Sequence, residues 1–314
     1  MIAIGIDIGG TSIKGAAVYD DGRMLDVFAL PVQKGEPGEV TIGKLIDIVE
    51  NYINEKGIGK DLVGIGIGIP GLLDIEKGIV TFSPNLKWED LHIADLFKAR
   101  LPYPVRIAND ANVAAFGEAK FGAGKGVDYV IMLTLGTGVG GGIVLNGQLY
   151  EGNEGKGAEM GHITMEFNGR QCGCGRKGCL EAYASATALI NDTKKAMEEH
   201  PESLMHQAAA ELGKVDGRVA FIAARKGDQV ALQVVDQYIY FLCEGIMNYC
   251  NIFRPNVVVL SGGIANEGDY LFDKINSYLK VHQYGFPRSP EVKVVPAKLG
   301  YDSGKIGAAS LLFK

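Results

Sequence analysis

Residues 2–19 read IAIGIDIGGTSIKGAAVY: an apolar run reaches Asp7, turns through Gly9-Gly10-Thr11 and then resumes. Apolar and β-branched residues on both sides of a glycine turn describe two paired strands. Asp20-Asp21-Gly22 is a second turn signal, and it leads to a third strand expected over residues 24–31. A dinucleotide-binding fold opens differently, with its first strand feeding straight into a helix. The same design recurs at residues 129–145, YVIMLTLGTGVGGGIVL, where a strand expected over 129–135 meets Gly136-Thr137-Gly138 and the apolar pattern then continues. Two such units imply a duplicated α/β fold in which each half offers a glycine turn to an anion. The turn N–H groups and the hydroxyls of Thr11 and Thr137 suit phosphate oxygens, with Lys14 close to the first turn. Neither turn has the GxxxxGK[ST] spacing of a Walker loop, and a plain tight hairpin is the structural alternative for each. A third glycine pair, Gly262-Gly263, follows a strand expected over 256–260.

Residues 159–181, EMGHITMEFNGRQCGCGRKGCLE, hold Cys172, Cys174 and Cys179, with His162 ten residues before the first of them. Three thiolates and one imidazole complete a tetrahedron around Zn²⁺ and leave no position open for water, so such a site is a structural staple. A redox pair or inert thiols are the alternative. Glu159 and Glu181 bracket the motif, where a staple would hold both carboxylates in place. Cys243 and Cys250 lie in an apolar helical pattern and read as core. Nothing suggests a disulfide framework, which points to the cytoplasm.

The chain of 314 residues has room for two domains of ordinary size. A net charge of −6 and a pI near 5.5 argue against nucleic acid as a partner. The apolar opening is too short to span a bilayer and has no basic residues before it, so no membrane role is expected. Helical spacing of Ile42, Leu45, Ile46, Val49 and Ile53 predicts a helix over 40–56. Further helices are expected over 91–100, 112–120, 185–199, 228–253 and 303–313, and strands over 62–69, 105–108 and 292–296. The segment Asn85-Leu86-Lys87-Trp88 reads as loop, and the scattered His92, His200, His206 and His282 as surface residues. Asp110 stands at a strand-to-helix junction, where ligand-facing residues collect in α/β proteins, and it is the best candidate for a base. The structural alternative is that Asp110 or Asn112 is merely an N-cap.

Several motifs together resemble the ROK family (repressors, open reading frames, kinases). They are Asp7-Ile8-Gly9-Gly10-Thr11, Asn109-Asp110-Ala111-Asn112, the 135–142 glycine run, Glu159-Met160-Gly161-His162 and CGCGRKGCLE over 172–181. They occur in order across nearly the whole chain. Within the family, Gly68-Ile69-Pro70-Gly71 and Pro84-Asn85-Leu86-Lys87-Trp88 look most like bacterial ATP-dependent glucokinases. The resemblance implies an actin-like ATPase fold (hexokinase-type, ribonuclease H-like), with two domains around a cleft and a structural zinc site. The expected division is 1–117, completed by 303–314, and 118–302, which carries the zinc motif 162–179.

The resemblance also implies the chemistry. Asp110 takes the proton of a hexose 6-hydroxyl, while Asn109, Glu159, His162 and Glu181, with Gly71 and Asn85, hold the sugar. Asp7, Gly9, Gly10, Thr11, Lys14, Gly136, Thr137, Gly138, Gly262 and Gly263 meet Mg²⁺-ATP, Asp7 through metal-bound water. His162, Cys172, Cys174 and Cys179 bind Zn²⁺. Glucose is the expected sugar. Another hexose or an N-acetylated amino sugar (fructose, allose, N-acetylglucosamine, N-acetylmannosamine) is the enzyme alternative, and a non-catalytic sugar sensor is the alternative of another class. Family repressors carry a DNA-binding segment ahead of the first glycine turn, for which seven residues leave no room. The family further implies a homodimer or tetramer.

Overall fold

The computed structural model describes residues 1–313. The chain opens with β1 (Ile2–Ile8), β2 (Ser12–Tyr19) and β3 (Phe28–Pro31), which pair antiparallel in sequence order. The third strand is shorter than its apolar run, because Met24 contributes only an isolated bridge to Val18. Next come α1 (Gly38–Lys56) and β4 (Leu62–Ile69); Ile42, Leu45, Ile46, Val49 and Ile53 of α1 are all buried in the core beneath the sheet. Residues 84–87 form a turn, as expected of the Asn85-Leu86-Lys87-Trp88 loop, but the chain around it makes a small antiparallel sheet of β5 (Leu72–Asp74), β6 (Ile79–Ser83) and β7 (Trp88–Leu91), with Trp88 a buried strand residue. Then follow α2 (Ile93–Lys98), β8 (Val105–Asn109) and α3 (Asp110–Phe121).

The second glycine turn joins β9 (Val130–Leu135) to β10 (Val139–Leu145), and β11 (Gln148–Tyr150) folds back on β10. Past the cysteine motif come α4 (Glu181–Ala184), α5 (Ala186–Glu199), α6 (Met205–Leu212), α7 (Arg218–Arg225) and the long α8 (Gln229–Phe253), which buries Cys243 and Cys250. β12 (Val257–Ser261), α9 (Asp269–His282), β13 (Lys293–Pro296) and α10 (Ser303–Ser310) complete the chain. Among the described residues the larger sheets have the orders β3-β2-β1-β4-β8 and β11-β10-β9-β12-β13. No described helix is long and apolar enough to cross a membrane.

The chain divides into two compact units. The first comprises Met1–Asp128, Gly142–Ala158 and the segment from Lys298 onward; the second comprises Tyr129–Gly141 and Glu159–Ala297. A boundary at 117/118 would cut α3, which continues to Phe121. Moreover, the carboxylate of Glu118 accepts the backbone N–H groups of Ala123 (2.8 Å), Lys298 (3.0 Å) and Leu299 (2.6 Å), tying the end of α3 to the returning C-terminal chain. Within the first unit α10 lies against the sheet at backbone contact. A Cβ on Gly5 would come within 1.8 Å of the Lys305 carbonyl oxygen, and one on Gly66 within 1.8 Å of that of Ala308. Only glycine permits so close an approach.

Candidate active site

In the first unit β1, β4 and β8 run parallel, with Asp7 beside Gly68 and Ile69 beside Asn109. Asp7, the Pro70-Gly71 turn and Asn109-Asp110 therefore gather at the carboxyl ends of adjacent strands, the edge where open α/β sheets bind ligands. The first glycine turn closes with Gly9 N–H donating to the Ser12 carbonyl at 3.0 Å. Thr11 is exposed, and nothing lies within 4 Å of a Cβ built on Gly10, so that stretch of backbone is open to a ligand. Lys14 is paired with Asp7 across the β1–β2 hairpin. Burial raises the Asp7 carboxyl above the usual carboxylate range, while the cations of Lys305 and then Lys14 pull it back. Lys305 is a charge that sequence reasoning missed. It is 2% exposed, donates to the Tyr301 carbonyl at 3.0 Å and pairs with Asp302 at 2.8 Å.

Asn109, and not Asp110, is the N-cap of α3. Its side-chain oxygen accepts Ala111 N–H at 2.9 Å and Asn112 N–H at 3.4 Å. Capping thus consumes the amide oxygen and leaves the Nδ2 donor. Asp110 is the first helical residue, half-buried, with Oδ1 accepting Ala111 N–H at 3.0 Å. Gly71 has φ of 123°, and a Cβ there would meet the Phe82 carbonyl oxygen at 2.4 Å. Asn85 is exposed in the β6–β7 turn. Beside Gly71, Ser83 is completely buried, and its hydroxyl has no hydrogen-bond partner among the described residues. No local sequence pattern marks that orphaned hydroxyl.

In the second unit β12 runs parallel to β9 with Ser261 opposite Thr134, so Gly136–Gly138 and Gly262–Gly263 leave the sheet at one edge. The Gly136–Gly138 turn is held from behind: Ala186 N–H donates to the Gly136 carbonyl at 2.8 Å and Thr187 Oγ1 to that of Thr137 at 2.7 Å. Nothing lies within 4 Å of a Cβ built on Gly136 or Gly263. Glu181 joins this turn to the cysteine motif. Its Oε2 accepts Val139 N–H at 3.1 Å, its Oε1 accepts the Cys172 thiol at 3.4 Å, and a Cβ on Gly138 would sit 2.3 Å from the carboxylate.

The ligand atoms of His162, Cys172, Cys174 and Cys179 lie within 4.8 Å of one another. Cys172 Sγ is 3.7 Å from His162 Nδ1, and Cys174 Sγ is 3.7 Å from Cys179 Sγ. Zn–S bonds of ~2.3 Å at tetrahedral angles give S···S edges of ~3.8 Å, so donor set and spacing both fit Zn²⁺. Burial pushes the Cys172 thiol up to about 12 and raises Cys179, whereas the Arg176 backbone N–H lowers Cys174. A divalent cation overcomes that penalty by binding the thiolates directly. Arg176 also clasps the motif, donating to the His162 carbonyl at 3.2 Å and to Thr164 Oγ1 at 2.9 Å. Glu159 is exposed just before His162, and its carbonyl accepts His162 N–H at 3.1 Å. His92 and His206 are exposed, with no described role at either site.

Strand-edge glycine turns in both halves, with acidic side chains at strand ends, are the parts of an actin-like ATPase fold of mixed α/β, two-domain type. The chain matches the ROK family model over residues 3–314 and belongs to that family. It is 38% identical to the glucokinase of Thermotoga maritima, over 98% of this chain and 96% of that one. It superposes on a ROK family glucokinase from Streptomyces griseus, solved with glucose and AMPPNP, with a TM-score of 0.78 and 34% identity, covering 99% of each chain. It is also 31% identical to the xylose repressor of Bacillus subtilis, over 99% of this chain and 76% of the repressor.

Proposed function

We propose that this chain is an ATP-dependent sugar kinase that transfers the γ-phosphoryl group to the 6-hydroxyl of a hexose, with glucose as the preferred substrate. The observation that carries the reading is Asp110: it starts α3 at the end of a sheet strand, while Asn109 does the capping. A carboxylate at the first turn of a helix and the carboxyl end of a sheet strand is suited to accept a hydroxyl proton as the oxygen attacks phosphorus. The similarity to glucokinases over nearly the full length supports glucose in particular.

In this reading Asn109 donates Nδ2–H to a sugar hydroxyl. Glu159 and Glu181 accept from others, and Gly71 and Asn85 border the ring. His162 binds Zn²⁺ through Nδ1, which fixes its tautomer and leaves Nε2–H to donate to the sugar. With Cys172 held as thiolate on the metal, Glu181 Oε1 is released for the sugar while Oε2 stays on Val139 N–H. The zinc staple thereby sets the position of two sugar-binding side chains. Gly9, Gly10, Thr11 and Lys14 from one turn, and Gly136, Thr137 and Gly138 from the other, receive the phosphates. Gly262 and Gly263 border the nucleoside. Asp7 would hold Mg²⁺, which when bound with ATP would neutralise phosphate charge. A cytoplasmic homodimer or tetramer completes the proposal.

Coupled ADP release with Mg²⁺-ATP tests it against glucose, mannose, fructose, allose, N-acetylglucosamine and N-acetylmannosamine. The expected result is a kcat/KM for glucose at least tenfold above the others. An N-acetylated sugar in first place would move the substrate and keep the mechanism. Sugar binding without ADP release from any of them would replace the kinase with a sensor.

A further inference from the structure

The first unit contains a cavity of about 270 Å³ lined by none of the residues assigned above. Its walls come from β8, α3, β11 with the chain just beyond it, and the C-terminal segment. Two opposite charges face it without meeting. Arg106 donates through Nη1 to the Leu311 carbonyl at 3.0 Å and is otherwise exposed. Glu151 has Oε1 buried with no hydrogen-bond partner among the described residues. Buried polar atoms are seldom left so, and each exception calls for a missing partner. Burial also pushes the Glu151 carboxyl up to about 7, with Arg106 offsetting only part of the effect. The rest of the lining is mixed, with Phe116, Leu149 and Leu311 beside the polar Gln148 and Ser310.

That pattern selects against most small ligands. A simple anion would suit Arg106 and be repelled by Glu151; a simple cation would have the reverse difficulty. A neutral polyol would leave both charges without a counter-charge. We infer that the cavity is a binding site for a small zwitterion of the α-amino-acid type. The ligand ammonium donates to Glu151, its carboxylate accepts from Arg106, and an apolar side chain lies on Phe116 and Leu149. Pockets of a few hundred Å³ hold ligands of this size. Charge-assisted hydrogen bonds at both ends fix its orientation. The claim stands independently of the kinase reading, since binding is measured directly.

The test is isothermal titration calorimetry of the full-length, zinc-loaded protein at pH 8, where Glu151 is ionised. Probes are L-leucine and L-phenylalanine, with N-acetyl-L-leucine lacking the ammonium and L-leucinamide lacking the carboxylate. One amino acid should bind saturably at one site per chain, and deleting either charge should weaken it at least tenfold. Glu151→Gln and Arg106→Met should each weaken the free amino acid by a similar factor. In Glu151→Gln the preference for leucine over N-acetyl-leucine should vanish, which a merely unstable variant would not produce. Absence of saturable heat from both amino acids on the unmodified protein overturns the proposal. So does binding that is indifferent to the probe's charges.

Discussion

Asn109 has two jobs that different substitutions can separate. Its Oδ1 caps α3 through Ala111 and Asn112 N–H, and its Nδ2 is assigned to the sugar. Asn109→Ser keeps an oxygen that caps well but removes the amide donor, whereas Asn109→Ala removes both. Losing the cap costs about 1 kcal/mol of stability, within a range of about 0.5–2. Losing one neutral hydrogen bond to substrate costs about 0.5–1.5 kcal/mol, or roughly a two- to tenfold rise in sugar KM. The serine variant should therefore unfold in urea within ~0.5 kcal/mol of the parent and still show the raised KM. The alanine variant should show the same KM and be less stable by about 1 kcal/mol. Both quantities come from one preparation: a urea curve at saturating zinc and a coupled ADP-release titration in sugar. Equal stability loss in the two variants would refute the capping role, and a normal KM in Asn109→Ser would refute the sugar contact.

The other expectations are more direct. Asp110→Asn should lower kcat by about 10²- to 10⁴-fold with little change in the urea midpoint, because the cap is intact; full turnover would remove Asp110 as base. Cys174→Ser should lose bound zinc by metal analysis and raise the sugar KM through His162 and Glu181, and metal loss with an unchanged KM would show that the staple does not shape the pocket. Glu151 gives a pH signature. Its folded pKa is raised from 4.5 to about 7, so the stabilisation of the protonated acid is complete below about 4.5 and is lost as pH rises through 7. The loss is at most about 3 kcal/mol, and ~2 kcal/mol for a partly solvated group. Glu151→Gln should flatten the fall in stability between pH 5 and pH 8, and an unchanged slope would place the titration elsewhere.

Much of this was legible beforehand because the signals were local. The glycine turns after β1 and β9, the α1 spacing of Ile42, Leu45, Ile46, Val49 and Ile53, and the Cys172-Cys174-Cys179 spacing each need only a dozen residues of context. The β5–β7 sheet was missed because its strands are three to five residues long and its turn hides behind Pro84, Asn85 and a Lys87 with φ of 58°. α6 and α7, eight residues each, fall below the length at which periodicity speaks, although α9 carries a readable pattern in Leu271, Phe272, Ile275 and Leu279. The sequence offered Asp110 or Asn112 as the cap, and only the backbone geometry, with Asn109 extended before the first helical residue, places it at Asn109. Lys305 beside Asp7, the buried Ser83 hydroxyl and Glu118 reaching Lys298 all depend on partners far away in sequence, which no local window contains.

The seating of α10 also sets a timetable for the growing polypeptide. β1 leaves the ribosome long before α10, the helix that lies on Gly5 and Gly66, has been made. By Ala297 every residue of the second unit has been synthesised, while the first still waits for its closing piece. Domains fold as units as they emerge, at roughly 5–20 residues per second. The unit that contributes β1 is thus completed after the second, and until α10 is made its sheet presents an apolar slot cut to fit one particular helix.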